Sequence, residues 1–399
     1  IAHFNGDLFS DPDAIDLTPE EINLLAEAAR LDWASIEPAI FGTLFERGLD
    51  PAKRAQLGAH YTSRDDILLI VEPVVMEPLR REWEEVRAKA DRLAEAFWAA
   101  KDPSTRTRRR RELERVLLDF QERLASVTIL DPACGSGNFL YVALALLKDL
   151  EKEVITYATH RGLTMMLPRV TPRQLWGIET NAYAHELAQI VVWIGYIQWM
   201  TANGFQVNRD PVLEPMDTIL LMDAILDRSD PAHPREPDWP DAEFIIGNPP
   251  FLGGKRLRAE LGDDYVDAMF DVYDGRVPRE ADLVCYWFEK ARAMIEAGRV
   301  RRAGLLATNS IRGGANRRVL ERIKETGDIF MAWSDRPWIL EGAAVRVSMI
   351  GFDDGTEEHY TLDGALAAAI NPDLTASLDL TVAKRLPENF NIAFMGDTK

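Results

Sequence analysis

The 399-residue sequence contains only two cysteines, Cys134 and Cys285, and six histidines. Two thiols provide neither a disulfide framework nor a zinc-ligand spacing. The histidines do not recur at metal-ligand intervals either. The sequence therefore predicts no metal site and no disulfide-stabilised scaffold.

Long apolar runs and phosphate-loop motifs are also missing from the sequence. No apolar stretch approaches the length of a membrane span, and no signal peptide precedes the first segment. We therefore expect a cytoplasmic protein with no membrane partner. The absence of a Gly-Lys-Ser or Gly-Lys-Thr loop counts against a nucleotide hydrolase.

Positive charge is scarce: the sequence has 46 lysines and arginines but 65 aspartates and glutamates, which gives a formal net charge of −19. Such acidity argues against broad nonspecific nucleic-acid binding. A local basic groove can still form, because binding follows the distribution of charge rather than its sum. The first residue is Ile1 rather than Met, so we expect a piece of a longer protein.

The stretch from Val127 to Leu140 organises the rest of the chain. Its first four residues are β-branched or apolar and predict a buried parallel strand. Asp131 and Pro132 end this strand, two glycines at 135 and 137 turn the chain, and helical spacing begins at Asn138. A strand, a glycine turn and a helix direct backbone N–H groups towards a ligand. The acid at the strand tip favours a ligand that carries an ammonium group over one that carries a phosphate.

A second motif follows a second buried strand, Glu243–Gly247. Two consecutive prolines, Pro249 and Pro250, cannot continue a sheet, so the chain leaves it in a fixed extended shape. Asn248 and Phe251 are thereby presented at the carboxyl edge of the sheet. An amide, a rigid carbonyl and an aromatic face suit a planar group that carries an amino function.

These two motifs, Asp131-Pro-Ala-Cys-Gly-Ser-Gly-Asn-Phe and Asn248-Pro-Pro-Phe, resemble the signature of S-adenosylmethionine-dependent adenine-N6 DNA methyltransferases. Further segments resemble the large methyltransferases of type IIL restriction–modification and related phage-defence systems, so the resemblance covers nearly the whole chain. These segments are Phe41–Phe45, Leu57–Thr62, Ala281–Glu289 and Val345–Ser348. The resemblance implies an α/β fold: a Rossmann-like, mainly parallel, seven-stranded class I methyltransferase sheet with helices on both faces, preceded by a helical region.

The resemblance also implies a site for S-adenosylmethionine. Thr62 would touch the methionine carboxylate, Glu179 the ribose hydroxyls, and Asp223 the adenine amine of the cofactor. From the residues alone, Thr62 also fits a helix cap and Asp223 a turn. The full set of expected cofactor residues is Tyr61, Thr62, Asp131, Pro132, Ala133, Gly135, Ser136, Gly137, Glu179 and Asp223.

The expected catalytic residues are Asn248, Pro249, Pro250 and Phe251. The side-chain oxygen of Asn248 and the carbonyl of Pro249 would accept the two hydrogens of the target amine. Phe251 would stack on the base after it has been flipped from the duplex. No covalent intermediate is needed, so neither cysteine is expected to act as a nucleophile.

Candidate DNA contacts follow the catalytic motif and the later strand. Lys255 and Arg256 lie in a glycine-containing loop that we expect to be mobile, and arginines after Ser310 can position phosphates. These arginines are Arg312, Arg317 and Arg318. A further cluster at Arg106 and 108–111 is typical of a solvated helix face, with DNA-backbone or partner contact as the alternative.

Hydrophobic periodicity and caps predict the remaining elements. The predicted helices are one that starts at Thr18–Pro19, one over Ile36–Phe45, a hairpin over Arg80–Arg123 broken at Asp102–Ser104, one after Asn138, one over Asn181–Met200 and one over Asp282–Ile295. The predicted strands are Gln174–Ile178, Ile219–Leu221, Ala303–Thr308 and an antiparallel edge strand, Val345–Phe352. We divide the chain into a helical region 1–125, a catalytic domain 126–360 and an extension 361–399.

The motif order resembles the gamma arrangement of these enzymes, in which the target-recognition domain comes last. The resemblance thus implies double-stranded DNA as the partner and a recognition domain or subunit outside these residues, with other defence-system proteins as further partners. No nuclease motif is visible. Two alternatives stay open: a protein glutamine-N5 methyltransferase, which carries a similar Asn-Pro-Pro-aromatic motif, and a non-catalytic scaffold of a defence complex.

Overall fold

The structure, a computed structural model, describes residues 16–31, 38, 40, 62–163, 166–205, 216–340 and 343–376. The side chains of residues 339, 340, 343 and 344 are not included. The predicted helix over Ile36–Phe45 lies almost entirely outside these ranges. Tyr61 and the segment before it also lie outside them, as does the chain after residue 376.

Nine strands of the described residues form one sheet in the order β3-β2-β1-β4-β5-β7-β6-β8-β9. They are β1 (Ile129–Asp131), β2 (Leu175–Glu179), β3 (Ile219–Leu221), β4 (Phe244–Gly247), β5 (Arg302–Thr308), β6 (Asp328–Leu340), β7 (Ala343–Asp353), β8 (Tyr360–Leu362) and β9 (Ala365–Ala367). Strands β1 to β5 are mutually parallel, and β7 runs antiparallel between β5 and β6. The carboxyl ends of the first five strands therefore share one edge.

Helices cover both faces of this sheet. They are α1 (Pro19–Ala29), α2 (Arg64–Val71), α3 (Glu77–Ala99), α4 (Pro103–Ala125), α5 (Asn138–His160), α6 (Ala182–Ala202), α7 (Leu257–Leu261), α8 (Asp263–Val272), α9 (Val284–Glu296) and α10 (Arg317–Thr326). No helix in the described ranges is long and apolar enough to cross a bilayer.

Two hydrophobic cores, one on each face, explain why the central strands are apolar throughout. Ile129 packs into a core with helices α2 to α6, whereas its neighbour Leu130 packs into a core with α7 to α10. In β5, Leu306 packs into the first of these cores and its neighbour Leu305 into the second. Because successive strand side chains point to opposite faces, this division requires apolar residues at every position.

The predicted α/β class and its Rossmann-like sheet are confirmed, but the sheet has nine strands rather than seven. The additional strands β8 and β9 form a short antiparallel pair beside β6. The segment Val345–Phe352 is antiparallel as predicted, yet it is not an edge strand. It lies between β5 and β6, and its second half is buried on both faces.

The predicted helical hairpin is confirmed as α3 and α4. Asp102 caps α4 by accepting hydrogen bonds from the backbone N–H groups of Ser104 and Thr105, and Pro103 occupies the first helical position. At the other end of α4, Arg123 forms ion pairs with Glu82 of α3 and with Glu243, next to β4. The hairpin is thereby fixed to the sheet at the start of β4.

Candidate active site

The glycine turn after β1 wraps across the tip of β2. Gly135 and Gly137 have φ values of +51° and +83°, in the left-handed region that favours glycine. A Cβ on Gly137 would lie 3.1 Å from the backbone of Ala188 in α6. The N–H of Gly135 donates to Glu179 Oε2 over 3.0 Å. The loop and the acid at the end of β2 therefore form one unit, as their positions at neighbouring strand tips predict.

Asp131, at the tip of β1, is 1% exposed. Its Oδ1 accepts a hydrogen bond from the N–H of Ala133 over 3.1 Å. It also lies so close to Gly247 at the end of β4 that a Cβ there would be 2.5 Å from it. Burial raises the pKa of Asp131 to about 8, and the Glu179 carboxylate adds to this increase while the Ala133 N–H opposes it. A cationic group here would stabilise the ionised carboxylate.

Glu179 is oriented by three backbone groups. Besides Gly135, the N–H groups of Thr180 and Asn181 donate to its Oε1, each over 2.8 Å. The Thr180 hydroxyl also donates to Oε1, over 3.4 Å. Oε2 has two acceptor positions and the N–H of Gly135 uses one of them, so the other can accept a hydroxyl proton from a ligand.

Asp223, which follows β3, forms the turn that its residue type favours. Its Oδ1 accepts from the N–H groups of Ile225 and Leu226, and its Oδ2 accepts from the Tyr265 hydroxyl over 2.8 Å. Asp223 and Tyr265 also line an open cavity of about 840 Å³. This volume is in the range typical of small-molecule sites, but Asp131, Glu179 and Asn248 do not line the cavity. The turn and ligand interpretations are therefore compatible.

Asn248 leaves β4 towards the same edge, and Thr62 contacts it. Asn248 Nδ2 donates to Thr62 Oγ1 over 3.1 Å. Asn248 Oδ1 is buried and has no hydrogen-bond partner among the described residues. The ring of Phe251 is half-buried against the core that contains α2 and α5. An unpartnered acceptor and an aromatic ring three residues apart are groups that can together bind an amino group on a planar ring.

Thr62 does not cap a helix. The cap of α2 is the next residue, Ser63, whose Oγ accepts from the N–H of Asp66 over 3.2 Å. The helix-cap alternative for Thr62 is therefore wrong, and its hydroxyl is directed to Asn248 instead.

The segment Ala281–Glu289 contains two contacts that the sequence interpretation missed. Trp287 donates from Nε1 to the carbonyl of Pro132 in the glycine turn over 2.9 Å. Asp282 accepts from the N–H of Gly254, from Ser310 Oγ and from Asn316 Nδ2 over 2.9, 2.7 and 2.7 Å. The helix starts at Val284 rather than at Asp282. In the sequence, the one indication of these contacts is an acid that stands just before an aromatic-rich helix.

The basic residues proposed to contact DNA lie on the two segments that Asp282 joins. Lys255 is exposed, and the loop expected to be mobile forms a helical turn, Gly254–Arg256. The four arginines have intramolecular partners: Arg256 pairs with Glu260, Arg312 donates to the carbonyl of Asp373, and both Arg317 and Arg318 pair with Glu321.

Several arginines of the cluster at Arg106 and 108–111 also have partners within the protein. Arg109 and Arg110 of α4 pair with Glu112 and Glu114. Arg106 lies over the rings of Phe97 and Trp98 of α3, with distances of 5.1 and 5.4 Å to the ring centroids. These contacts are typical of a solvated helix face, which is the first of the two interpretations that the sequence allows for this cluster.

Both cysteines are buried free thiols. Burial raises the pKa of the Cys134 thiol well above its usual value, and the Asp131 and Glu179 carboxylates add to this effect. Burial also raises the pKa of Cys285. Neutral thiols are poor nucleophiles, in keeping with a site that works without a covalent intermediate.

Comparison with known proteins finds one matching family, described as MmeI, DNA-methyltransferase domain, over residues 105–362. This range contains strands β1 to β8, the glycine turn and the Asn-Pro-Pro-Phe motif.

Individual relatives agree with this match. DNA methyltransferase A of Bacillus subtilis (strain 168) is 27% identical over an alignment of 401 positions, gaps included, which covers 96% of this chain and 42% of that protein. A putative type II restriction enzyme and methyltransferase of Methanocaldococcus jannaschii is 24% identical, over 54% of this chain and 20% of that protein. The solved structure of the type IIL restriction–modification enzyme MmeI in complex with DNA superposes with a TM-score of 0.73 at 28% identity, over 94% of this chain and 49% of that one. The chain thus spans less than half the length of these relatives.

Proposed function

The chain belongs to the family of MmeI DNA-methyltransferase domains, and we propose that it moves a methyl group from S-adenosylmethionine to N6 of an adenine flipped out of DNA. The observation that carries this proposal is the Asn248 amide. Its nitrogen is engaged by Thr62, while its oxygen is buried without a partner among the described residues, next to two prolines and Phe251. An amino group with two hydrogens supplies the donors that this oxygen and the Pro249 carbonyl can accept.

The three acids at successive strand tips fit the cofactor's polar groups. Asp131 would pair with the ammonium group, Glu179 with the ribose hydroxyls and Asp223 with the adenine amine. The glycine turn, from Pro132 to Gly137, would follow the methionine part, with Tyr61 and Thr62 near its carboxylate. When bound, S-adenosylmethionine supplies the methyl group on a sulfonium.

The chain's own residues would raise the reactivity of the adenine amine. That amine is a poor nucleophile because its lone pair is conjugated with the ring. Hydrogen bonds to Asn248 Oδ1 and to the Pro249 carbonyl favour a pyramidal nitrogen whose lone pair is available. Pro250 would fix the backbone between these acceptors and Phe251, which stacks on the flipped base.

Selection of the DNA site would require a part outside the described residues. Phosphate contacts by Lys255, Arg256, Arg312, Arg317 and Arg318 would position the duplex but carry no sequence information. We therefore propose a separate target-recognition domain or subunit, a role in restriction–modification or phage defence, and residence in the cytoplasm with the DNA. The division of the chain into a helical region that ends at residue 125, a catalytic domain that ends at residue 360 and an extension is also part of this proposal.

The experiment that tests the proposal follows a labelled methyl group. The full-length protein, or this chain reconstituted with the proposed recognition part, is incubated with methyl-labelled S-adenosylmethionine, mixed-sequence double-stranded DNA and translation release factor, and the label in each is counted. We expect label in DNA only, and none in DNA with the Asn248→Ala variant. Label in the release factor alone would favour the glutamine-N5 alternative, and binding of the cofactor without any transfer would favour the scaffold.

A further inference from the structure

The hydrogen bond between Thr62 and Asn248 joins residues 186 positions apart. Thr62 is 4% exposed, and the bonded atoms are separated by 3.1 Å. We propose that Thr62 is a positioning residue, whose hydroxyl fixes which end of the Asn248 amide faces the target amine. This inference rests on the function proposed above.

The orientation of the amide decides whether the site can bind its target. An amide has an acceptor oxygen at one end and a two-proton donor at the other. If the amide turned over, its NH₂ group would face the N–H donors of the adenine amine, and no hydrogen bond would form. Thr62 Oγ1 accepts from Nδ2, which leaves for the target the oxygen that has no partner among the described residues. A hydroxyl can also donate, so Thr62 holds the amide in this orientation when its own proton is donated to another acceptor, such as the carboxylate of the cofactor.

Thr62 can hold the amide because its own position is firm. It lies just before α2, which begins at Arg64. Helix α2 buries Ile67, Ile70 and Val71, and Ile70 packs so closely on β5 that a Cβ at Gly304 would lie 2.8 Å from it. The hydroxyl is therefore anchored to the same sheet that presents Asn248, which pre-organises the acceptor.

This role differs from the cofactor contact that sequence resemblance assigns to Thr62. A threonine hydroxyl has two lone pairs and one proton. Accepting from Asn248 uses one lone pair and leaves the proton for a carboxylate. The two roles can therefore coexist, but they predict different kinetic effects. Loss of a cofactor contact weakens cofactor binding, whereas loss of amide positioning lowers turnover even when cofactor and DNA are saturating.

The test compares Thr62→Val, which keeps the shape but removes the hydroxyl, with Thr62→Ser, which keeps it. The matched control is Ser63→Ala, which removes the neighbouring hydroxyl that caps α2. Methyl transfer to DNA by the full chain is measured at saturating S-adenosylmethionine and DNA. We expect Thr62→Val to lower kcat by roughly ten- to hundredfold, as for a misplaced catalytic group. Thr62→Ser should restore most of kcat, and Ser63→Ala should retain it.

Three kinetic results would each overturn the proposal: an unchanged kcat in Thr62→Val, an equal loss in Thr62→Ser, or an equal loss in Ser63→Ala. A second readout does not depend on turnover. In protein labelled with ¹⁵N-asparagine, the Asn248 side-chain amide is assigned from its loss in Asn248→Asp. Its hydrogen-bonded proton should shift upfield in Thr62→Val and stay in place in Ser63→Ala.

An amide resonance that does not respond to Thr62→Val would show that the hydrogen bond is absent. If the wild-type protein, with the proposed recognition part present, methylates no DNA, the proposed function fails. The amide resonances then still decide whether Thr62 holds Asn248. The two failures are therefore distinguishable.

Discussion

At the scale of single residues, we expect Asn248 to act in methyl transfer and Phe251 to hold the flipped base. Asn248→Ala removes an acceptor for the target amine, so turnover should collapse while cofactor affinity survives. Phe251→Ala removes a stacking surface worth on the order of 1–3 kcal/mol, and Phe251→Trp should restore much of it. Single-turnover methylation of DNA, with cofactor affinity measured alongside, separates the two effects. Near-normal methylation by Asn248→Ala would mean that the active site is misassigned.

Glu179 provides the second residue-scale prediction, because its carboxylate accepts from Gly135 in the glycine turn. Glu179→Ala should weaken S-adenosylmethionine binding by about tenfold or more, as expected for the loss of charge-assisted hydrogen bonds. Titration calorimetry measures this change. Asp119→Ala is the control, since Asp119 is an exposed acid of α4 whose ion pair with Arg115 lies at the surface. Equal affinities in both variants would remove Glu179 from the site.

Asp131 should make the stability of the protein depend on pH. Its pKa is raised from 3.8 to about 8, chiefly by burial. A folded-state pKa above the unfolded value means that the contribution to stability is fully present below about pH 4. It is lost as the pH rises through about 8. Without cofactor, Asp131→Asn should therefore gain stability relative to the wild type between pH 6 and pH 9. Urea unfolding at both pH values tests this, and a difference that does not change with pH would contradict the raised pKa.

At the scale of elements, the glycine turn offers a prediction about geometry. Gly137→Ala places a side chain at a φ of +83° and 3.1 Å from the backbone of Ala188. We expect a loss of roughly 1–2 kcal/mol from the left-handed conformation alone, together with weaker cofactor binding because the turn must move. Gly298→Ala is the matched control, since Gly298 has a φ of +70° but open space around its Cβ position. It should lose stability without losing cofactor affinity; equal affinities in the two variants would show that the turn tolerates displacement.

The first five strands and their polar ends could be predicted from the sequence because the signals are local. Each is a short apolar run that ends in an acid or a glycine or is followed within two residues by an acid or an amide. Strand β6 has no such signal, since Ser334, Asp335, Arg336 and Pro337 interrupt its apolar pattern and its pairing with β7 shifts there. The interior position of β7 depends on which strands pair with it. Strand order is a long-range property that alternation does not encode.

The same distinction applies to the site. The strand-tip acids and the positive φ values at 135 and 137 follow from motifs of a few residues. The pairing of Thr62 with Asn248, and the links from Asp282 to Gly254, Ser310 and Asn316, join distant segments. Only the folded sheet brings these groups together, so short-range spacing could not reveal them.

At the scale of the whole molecule, an acidic protein is proposed to act on an acidic polymer. The arginines proposed to contact DNA already pair with acids or carbonyls, which limits long-range attraction of phosphate. Exposed ion pairs contribute only about 0–1 kcal/mol, so phosphates can replace these partners at close range. DNA binding by these residues alone should therefore be weak, and the proposed recognition part would supply the remaining affinity and the site preference.

The most direct test of the central claim is the identity of the methylated nucleoside. DNA is incubated with the full chain and S-adenosylmethionine, digested to nucleosides and analysed by mass spectrometry, with the Asn248→Ala variant in parallel. We expect N6-methyladenine from the wild type and none from the variant. Methylation confined to cytosine, or N6-methyladenine formed equally well by Asn248→Ala, would contradict the account.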